Sequence, residues 1–145
     1  MKSMPHILKF MSAMPHTIGS DQPLNRALEI MRQHRIRHLP VLDGGKLVGV
    51  LSDRDVKLGA SFADSEELTV DDVMTPEPYS VLPEAPVNRV VSEMAEKKYG
   101  CAVVQQENGK VVGIFTANDG LRVLADQLDA FYRPADADAH VRSHG

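Results

Sequence analysis

The chain contains itself twice. Sliding it by 63 residues places Met11 on Met74, Pro15 on Pro78, Pro23 on Pro86, Asn25 on Asn88, Arg26 on Arg89, Met31 on Met94 and Val41 on Val104. One inserted residue near Gln105 and Gln106 moves the offset to 64. Gly45 then meets Gly109, Lys46 meets Lys110, Val48 meets Val112, Gly49 meets Gly113 and Asp55 meets Asp119. Twelve identities with a single gap mark an internal duplication. No other feature constrains the fold as much, because both halves of a 145-residue chain must then share one topology. A unit of about 60 residues hides too little apolar surface to be stable by itself. Two copies are expected to share a core.

Each copy carries the same succession of signals. A short extended piece, Thr17-Ile18 or Ser80-Val81, lies between turn formers. Leu24, Ala27, Leu28 and Met31 follow at helical spacing, and Val87, Val90, Val91 and Met94 repeat that stripe. Pro23 and Pro86 fall where a first helical turn tolerates proline. Two β-rich runs come next. They are His38–Leu42 and Lys46–Leu51 around Asp43-Gly44-Gly45, then Cys101–Gln105 and Lys110–Phe115 around Glu107-Asn108-Gly109. A closing helix over Asp53–Ala60 or Ala117–Phe131 completes a β-α-β-β-α unit. The expected fold is α/β (α+β): two such repeats, 7–60 and 70–131, packed sheet to sheet in a pseudo-two-fold arrangement with the helices outside. Residues 61–69 read as a linker, and 132–145 as a polar, flexible tail without an apolar stripe.

Composition narrows the function. With 43% apolar and 25% charged residues the chain has the make-up of a soluble globular protein. A net charge of -4, no Trp and only seven Tyr and Phe together supply neither the cationic surface nor the stacking platform that nucleic acids need. Cys101 stands alone, so no intramolecular disulfide forms and a reducing cytoplasm is the expected compartment. No apolar run reaches secretory or membrane-spanning length. Phosphate-loop, nucleophile-elbow and zincin signatures are missing, and the six His lack zinc-ligand spacing with the Cys, so catalysis, a required cofactor and a metal site are not expected.

Chemistry concentrates at two matching stretches, Val48–Asp55 (VGVLSDRD) and Val112–Asp119 (VGIFTAND). Ser52 with Asp55, and Thr116 with Asp119, have the spacing of a capping box, in which hydroxyl and acid satisfy each other's backbone amides. The same geometry suits a ligand. A helix N-terminus attracts phosphate, and a carboxylate three residues on can accept hydrogen bonds from ribose hydroxyls. Arg35, Arg37 and His38 form a basic cluster ahead of a strand, either a helix end complementing its dipole or part of an anion site. Both readings stay open on spacing alone.

The Met74-Thr75-Pro76 start, the HRIRHLPVLD run at His34–Asp43 and the paired Gly-x-x-Ser/Thr-x-x-Asp ends together resemble a tandem pair of CBS domains, the Bateman module, over about Ile7 to Leu124. The resemblance implies two stacked three-stranded sheets, two related clefts and a stand-alone module that forms a homodimer. It also implies a regulatory role: binding of AMP, ADP, ATP or S-adenosylmethionine between the repeats, with the conformational change read by a regulated protein. By that resemblance Asp55 and Asp119 hold ribose, with Ser52 and Thr116 near the sugar or phosphate. Arg37 and His38 contact phosphate, Arg54 adds a charge, and Ile18, Leu39 and Pro40 line an adenine slot that core packing explains equally well. Thr17, Ser80, Val81, Cys101, Ala102, Val103 and Asn118 complete the implied lining. The second copy has Gly100 and Cys101 where the first has Arg37 and His38, so the clefts should differ. The competing expectation is a ligand-free dimerisation module whose two motifs are only caps.

Overall fold

The computed structural model describes residues 2–62 and 64–132; the stretch 133–145, read above as a tail, lies outside them. After a 3-10 turn at Ile7–Lys9 come β1 (Ser12–Ala13), β2 (Ile18–Gly19), α1 (Leu24–His34), β3 (His38–Asp43), β4 (Lys46–Ser52) and α2 (Asp53–Ala60). A second 3-10 turn, Ser65–Glu67, leads to α3 (Val70–Val73), β5 (Thr75–Pro76), β6 (Ser80–Val81), α4 (Val87–Lys97), β7 (Cys101–Gln105), β8 (Val111–Thr116) and α5 (Ala117–Phe131). Elements recur in the same order, as the duplication requires. Pro23 and Pro86 sit at the N-caps of α1 and α4, one residue before the first turn, where an absent N–H leaves no bond unmade.

Two sheets result, and each has four strands where the resemblance implied three. One runs β2-β3-β4-β5, the other β1-β8-β7-β6. The fourth strand of each comes from the leader of the other half. β5 pairs antiparallel with β4 (Val50 opposite Thr75), and β1 pairs antiparallel with β8 (Ser12 opposite Ile114). Packing follows the exchange. Ile7 is fully buried in the cluster of Val87, Val90, Met94, Ala102, Val104 and Phe115, whereas Val70 is fully buried with Leu24, Ala27, Leu39, Val41 and Leu51. The sequence repeats and the packed halves therefore do not coincide, because each leader crosses over.

Alternation along β3 and β7 explains why the halves adhere. Leu39 and Val41 on β3, and Ala102 and Val104 on β7, face the helix-covered clusters. Their neighbours Pro40, Cys101 and Val103 point the other way and are buried as well, in agreement with sheet packed on sheet. The apolar stripes of α1 and α4 supply the outer layers, with Leu24, Ala27 and Met31, and Val87, Val90 and Met94, turned inward.

The two motif glycines serve this exchange. A Cβ on Gly49 would lie 2.5 Å from Met74 Sδ and 2.9 Å from the Thr75 carbonyl oxygen; one on Gly113 would lie 2.2 Å from Met11 Sδ and 2.9 Å from its Cγ. Each glycine thus clears room for the methionine of the leader that crosses to it. Gly49→Ala meets backbone and should cost roughly 1–3 kcal/mol in urea denaturation. Gly113→Ala meets only a flexible Met and should cost less, and Gly120→Ala, whose Cβ would have no neighbour closer than 3.7 Å, should be neutral or stabilising.

Candidate functional site

Both expected capping boxes form. Ser52 Oγ accepts from the Asp55 amide at 3.1 Å while the Ser52 amide donates to Asp55 Oδ2 at 3.3 Å. Thr116 Oγ1 accepts from the Asp119 amide at 3.1 Å, and the Thr116 amide donates to Asp119 Oδ2 at 2.8 Å. A third box closes on α3 through Thr69 and Asp72, with no counterpart in the other repeat. Capping alone therefore does not mark a site.

What surrounds α5 does. A cleft of about 710 Å³ is lined by Thr116, Asn118 and Asp119 from the second repeat and by His16, Arg35, Arg37 and His38 from the first. Its volume is in the range of small-molecule sites. The walls come from Ser12–Pro15, Ile36, Gly100, Ile114 and Ala117. The first-repeat cations thus oppose the second-repeat cap, a juxtaposition that spacing along the chain cannot reveal.

Backbone geometry places those cations. Arg35 ends α1 in the left-handed region (φ 54°), and the Ile36 amide donates back to the Met31 carbonyl at 3.0 Å. This reversal sends 35–38 across the top of the sheet. Lys98 ends α4 in the same way (φ 60°), with Tyr99 donating to Met94 at 3.0 Å. The leaders match too: Met14 and Glu77 have φ 51° and 50°. The frame is duplicated and its side chains are not. Where one half has His16 and Ile36 the other has Tyr79 and Tyr99, whose rings stack with centroids 5.0 Å apart. His16 instead stacks on His34 at 3.7 Å.

At the start of α5 most amides are already taken. The Ala117 amide donates to the Gly100 carbonyl at 2.9 Å, and the Thr116 and Asp119 amides are held in the box. Among the described residues only the Asn118 amide of this first turn has no protein partner, and Asn118 faces the cleft. The helix end can offer an anion one N–H, not a full cradle. Asp119 keeps Oδ1 free of the box for an incoming hydroxyl.

The other expected positions are distributed as follows. Arg54 is exposed, with Ser52 and Asp55 half-buried at the α2 cap. Ile18, Leu39, Pro40, Cys101, Ala102 and Val103 are buried, and Ile18, Leu39 and Ala102 belong to the core clusters. Ser80 Oγ accepts from Gln105 Nε2 at 3.1 Å beside half-buried Val81. Thr17 lines a separate opening of about 1100 Å³ between the two hairpin turns. His16 and the β1 leader were not among the expected ligand residues, and Arg35 entered only as a member of the basic cluster ahead of β3. Only the basic run around Arg35 and the Pro15–Pro78 identity hinted at them.

His38 and Cys101, equivalent by the repeat, differ in chemistry. Burial pushes the Cys101 thiol up to about 11, so it is inert at neutral pH. Burial also lowers His38 below its ordinary range; Asp53, Asp55 and Asp119 oppose that shift and Arg37 adds to it. A Cβ on Gly100, the position equivalent to Arg37, would lie 3.0 Å from His38 Nε2. Because the folded His38 resists protonation, the unfolded chain takes the proton first as pH falls, and stability drops there. The His38→Gln variant should lose less melting temperature than wild type between about pH 7.5 and pH 5.5.

Among the described residues no helix is long and apolar enough to cross a membrane. Residues 7–58 and 70–126 each match the CBS domain. Over 103 residues the chain is 37% identical to an inosine-5'-monophosphate dehydrogenase from Korarchaeum cryptofilum, covering 71% of this chain and 21% of that enzyme. It spans a quarter or less of the first curated enzymes it matches. Among solved structures, the CBS domain pair of protein MJ0100, in complex with 5'-methylthioadenosine and S-adenosyl-L-methionine, superposes with a TM-score of 0.78 at 27% identity, covering 86% of this chain and 99% of that one. CBSX2 from Arabidopsis thaliana, in complex with AMP, superposes with a TM-score of 0.72 at 26% identity, covering 84% and 97%. The duplicated sequence, the two matched segments and the shared architecture make this chain a member of the CBS domain family, with two copies of the domain in tandem.

Proposed function

We propose that the chain is a non-catalytic regulatory module of the cytoplasm that binds an adenosine nucleotide in the Asp119 cleft and signals occupancy to a partner protein. The observation that carries this reading is the cleft itself, where Arg35, Arg37 and His38 of one repeat face Thr116–Asp119 of the other. The CBS pairs solved with AMP and with S-adenosyl-L-methionine support the ligand class. Asp119 Oδ1 receives ribose hydroxyls, the Asn118 amide and the arginines receive phosphate, and the Met14–His16 wall borders the base. A ligand held by both repeats favours one relative arrangement of them, and the shift in population is the signal.

Thermal shift with AMP, ADP, ATP and S-adenosylmethionine tests this directly. A ligand at about 100 times its dissociation constant adds about 2.7 kcal/mol of stability. Asp119→Ala should remove the shift and Asp55→Ala should retain it, each after correction for a lost cap of roughly 0.5–2 kcal/mol. One bound nucleotide per chain is expected in titration. A flat panel would favour the second reading, a ligand-free dimerisation module, for which the reciprocal hydrogen bonds of both capping boxes are the specific support.

Either reading includes pairing of two copies. α5 has no buried residue, and Leu121, Leu124, Leu128 and Phe131 recur along it at helical spacing, 47–81% exposed. Leu58 of α2 and Phe62 just beyond it are exposed in turn, at 62% and 56%. A stripe of this kind on a soluble domain is ordinarily covered. The Leu124→Glu variant should shift the protein from dimer to monomer in analytical ultracentrifugation while leaving its far-UV circular dichroism unchanged.

A further inference from the structure

One identity between the repeats serves neither the core nor the Asp119 cleft. Lys46 and Lys110 each follow the glycine of a hairpin turn, Gly45 at φ 83° and Gly109 at φ 88°. Such turns demand glycine. They make no demand for lysine one residue later, yet both halves place one there, and both lysines line the same opening of about 1100 Å³ between the hairpins. Among the described residues the ion pairs are Arg26 with Glu29 and Lys57 with Asp53, so neither Lys46 nor Lys110 has its charge answered.

Apolar side chains lie between the two lysines. Leu42 and Leu47 of the first hairpin and Val111 and Val112 of the second line the opening and are half-buried. The side-chain amides beside them are already engaged: Gln105 Nε2 donates to Ser80 Oγ at 3.1 Å, and Asn108 Oδ1 accepts from the Lys110 amide at 3.0 Å. Thr17 adds a hydroxyl, and Glu107 is the one acidic side chain of the lining. Two ammonium groups against one carboxylate leave a positive rim above an apolar floor. Met14 and Pro15 are the only residues this lining shares with the Asp119 cleft, so the two openings are separate.

We propose that the opening between the hairpins is a second small-molecule site, and that it takes an organic dianion with an apolar body, in its simplest form a dicarboxylate. Lys46 holds one acidic group and Lys110 the other, while Leu42, Leu47, Val111 and Val112 receive the apolar stem. An inorganic anion would use the rim and leave the floor wet. A neutral apolar molecule would use the floor and leave both ammonium groups unanswered. Only a ligand with both features uses what the two hairpins bring together. This site does not depend on the nucleotide reading of the Asp119 cleft.

Titration of the full chain, followed by amide NMR, with suberate, octanoate, succinate and 1,8-diaminooctane tests the proposal. Suberate should move the Gly45 and Gly109 signals together, and its binding should weaken between about 50 and about 300 mM salt. It should bind about threefold or more tightly than octanoate, which lacks the second charge, and than succinate, which lacks the stem. The diamine should not bind. Lys46→Gln and Lys110→Gln should each bring suberate down to the affinity of octanoate, Glu107→Gln should tighten it, and Lys97→Gln, on the exposed end of α4, should leave it unchanged. Suberate and octanoate binding alike, or loss of binding in one lysine variant alone, overturns the dianion assignment. Shifts at Gly100 in place of Gly45 and Gly109 put the diacid in the Asp119 cleft and overturn the second site, as does the absence of any shift.

Discussion

The structure depends on a steric exchange: each half leaves a glycine gap in its last strand, and the other half's leader fills it with methionine. Met74 lies against Gly49 and Met11 against Gly113. Around those contacts β5 joins β4, β1 joins β8, and Ile7 and Val70 enter clusters opposite their own repeats. The exchange covers one edge of each sheet, which would otherwise present unpaired backbone groups. It also ties the halves together by packing, since neither leader can leave without opening a core.

The cleft is a by-product of that exchange. β1 crosses to β8, so the segment after it, Met14–His16, must return over the mouth of the second half to reach β2 in the first. The left-handed turn at Arg35 then brings 35–38 to the same place. His38 lies between the halves, against Gly100, and feels carboxylates from both caps, with Asp53 and Asp55 on α2 and Asp119 on α5. A group so placed senses the spacing between the repeats.

The Thr116–Asp119 box holds a helix start and borders a cleft at once. Its twin at Ser52–Asp55 has the same hydrogen bonds, and so does most of the Thr69–Asp72 box on a four-residue helix. Hydroxyl and acid therefore serve the starts of α2, α3 and α5 whatever else is nearby, whereas α1 and α4 start behind a proline. What distinguishes α5 is the company its cap keeps. Arg35, Arg37 and His16 face it, whereas the repeat-equivalent residues of the other half are Lys98, Gly100 and a tyrosine stacked on Tyr99.

Local physics in the sequence determined a great deal. The Leu24–Met31 and Val87–Met94 stripes, the glycine turns and the Ser/Thr-x-x-Asp caps specify helices, hairpins and helix starts from neighbours within a few residues, and the closing helices begin and end where the spacing predicts. The repeat itself established two like halves. The leaders β1 and β5 left no such trace, because a two-residue strand has no period to read and its partner lies across the molecule. Burial of Leu39 and Ala102 is likewise a matter of which face of a strand meets a helix. Which cap the cations face was decided only by the tertiary structure, since residues 35–38 and 116–119 are far apart in the chain and meet through the packing of one half on the other.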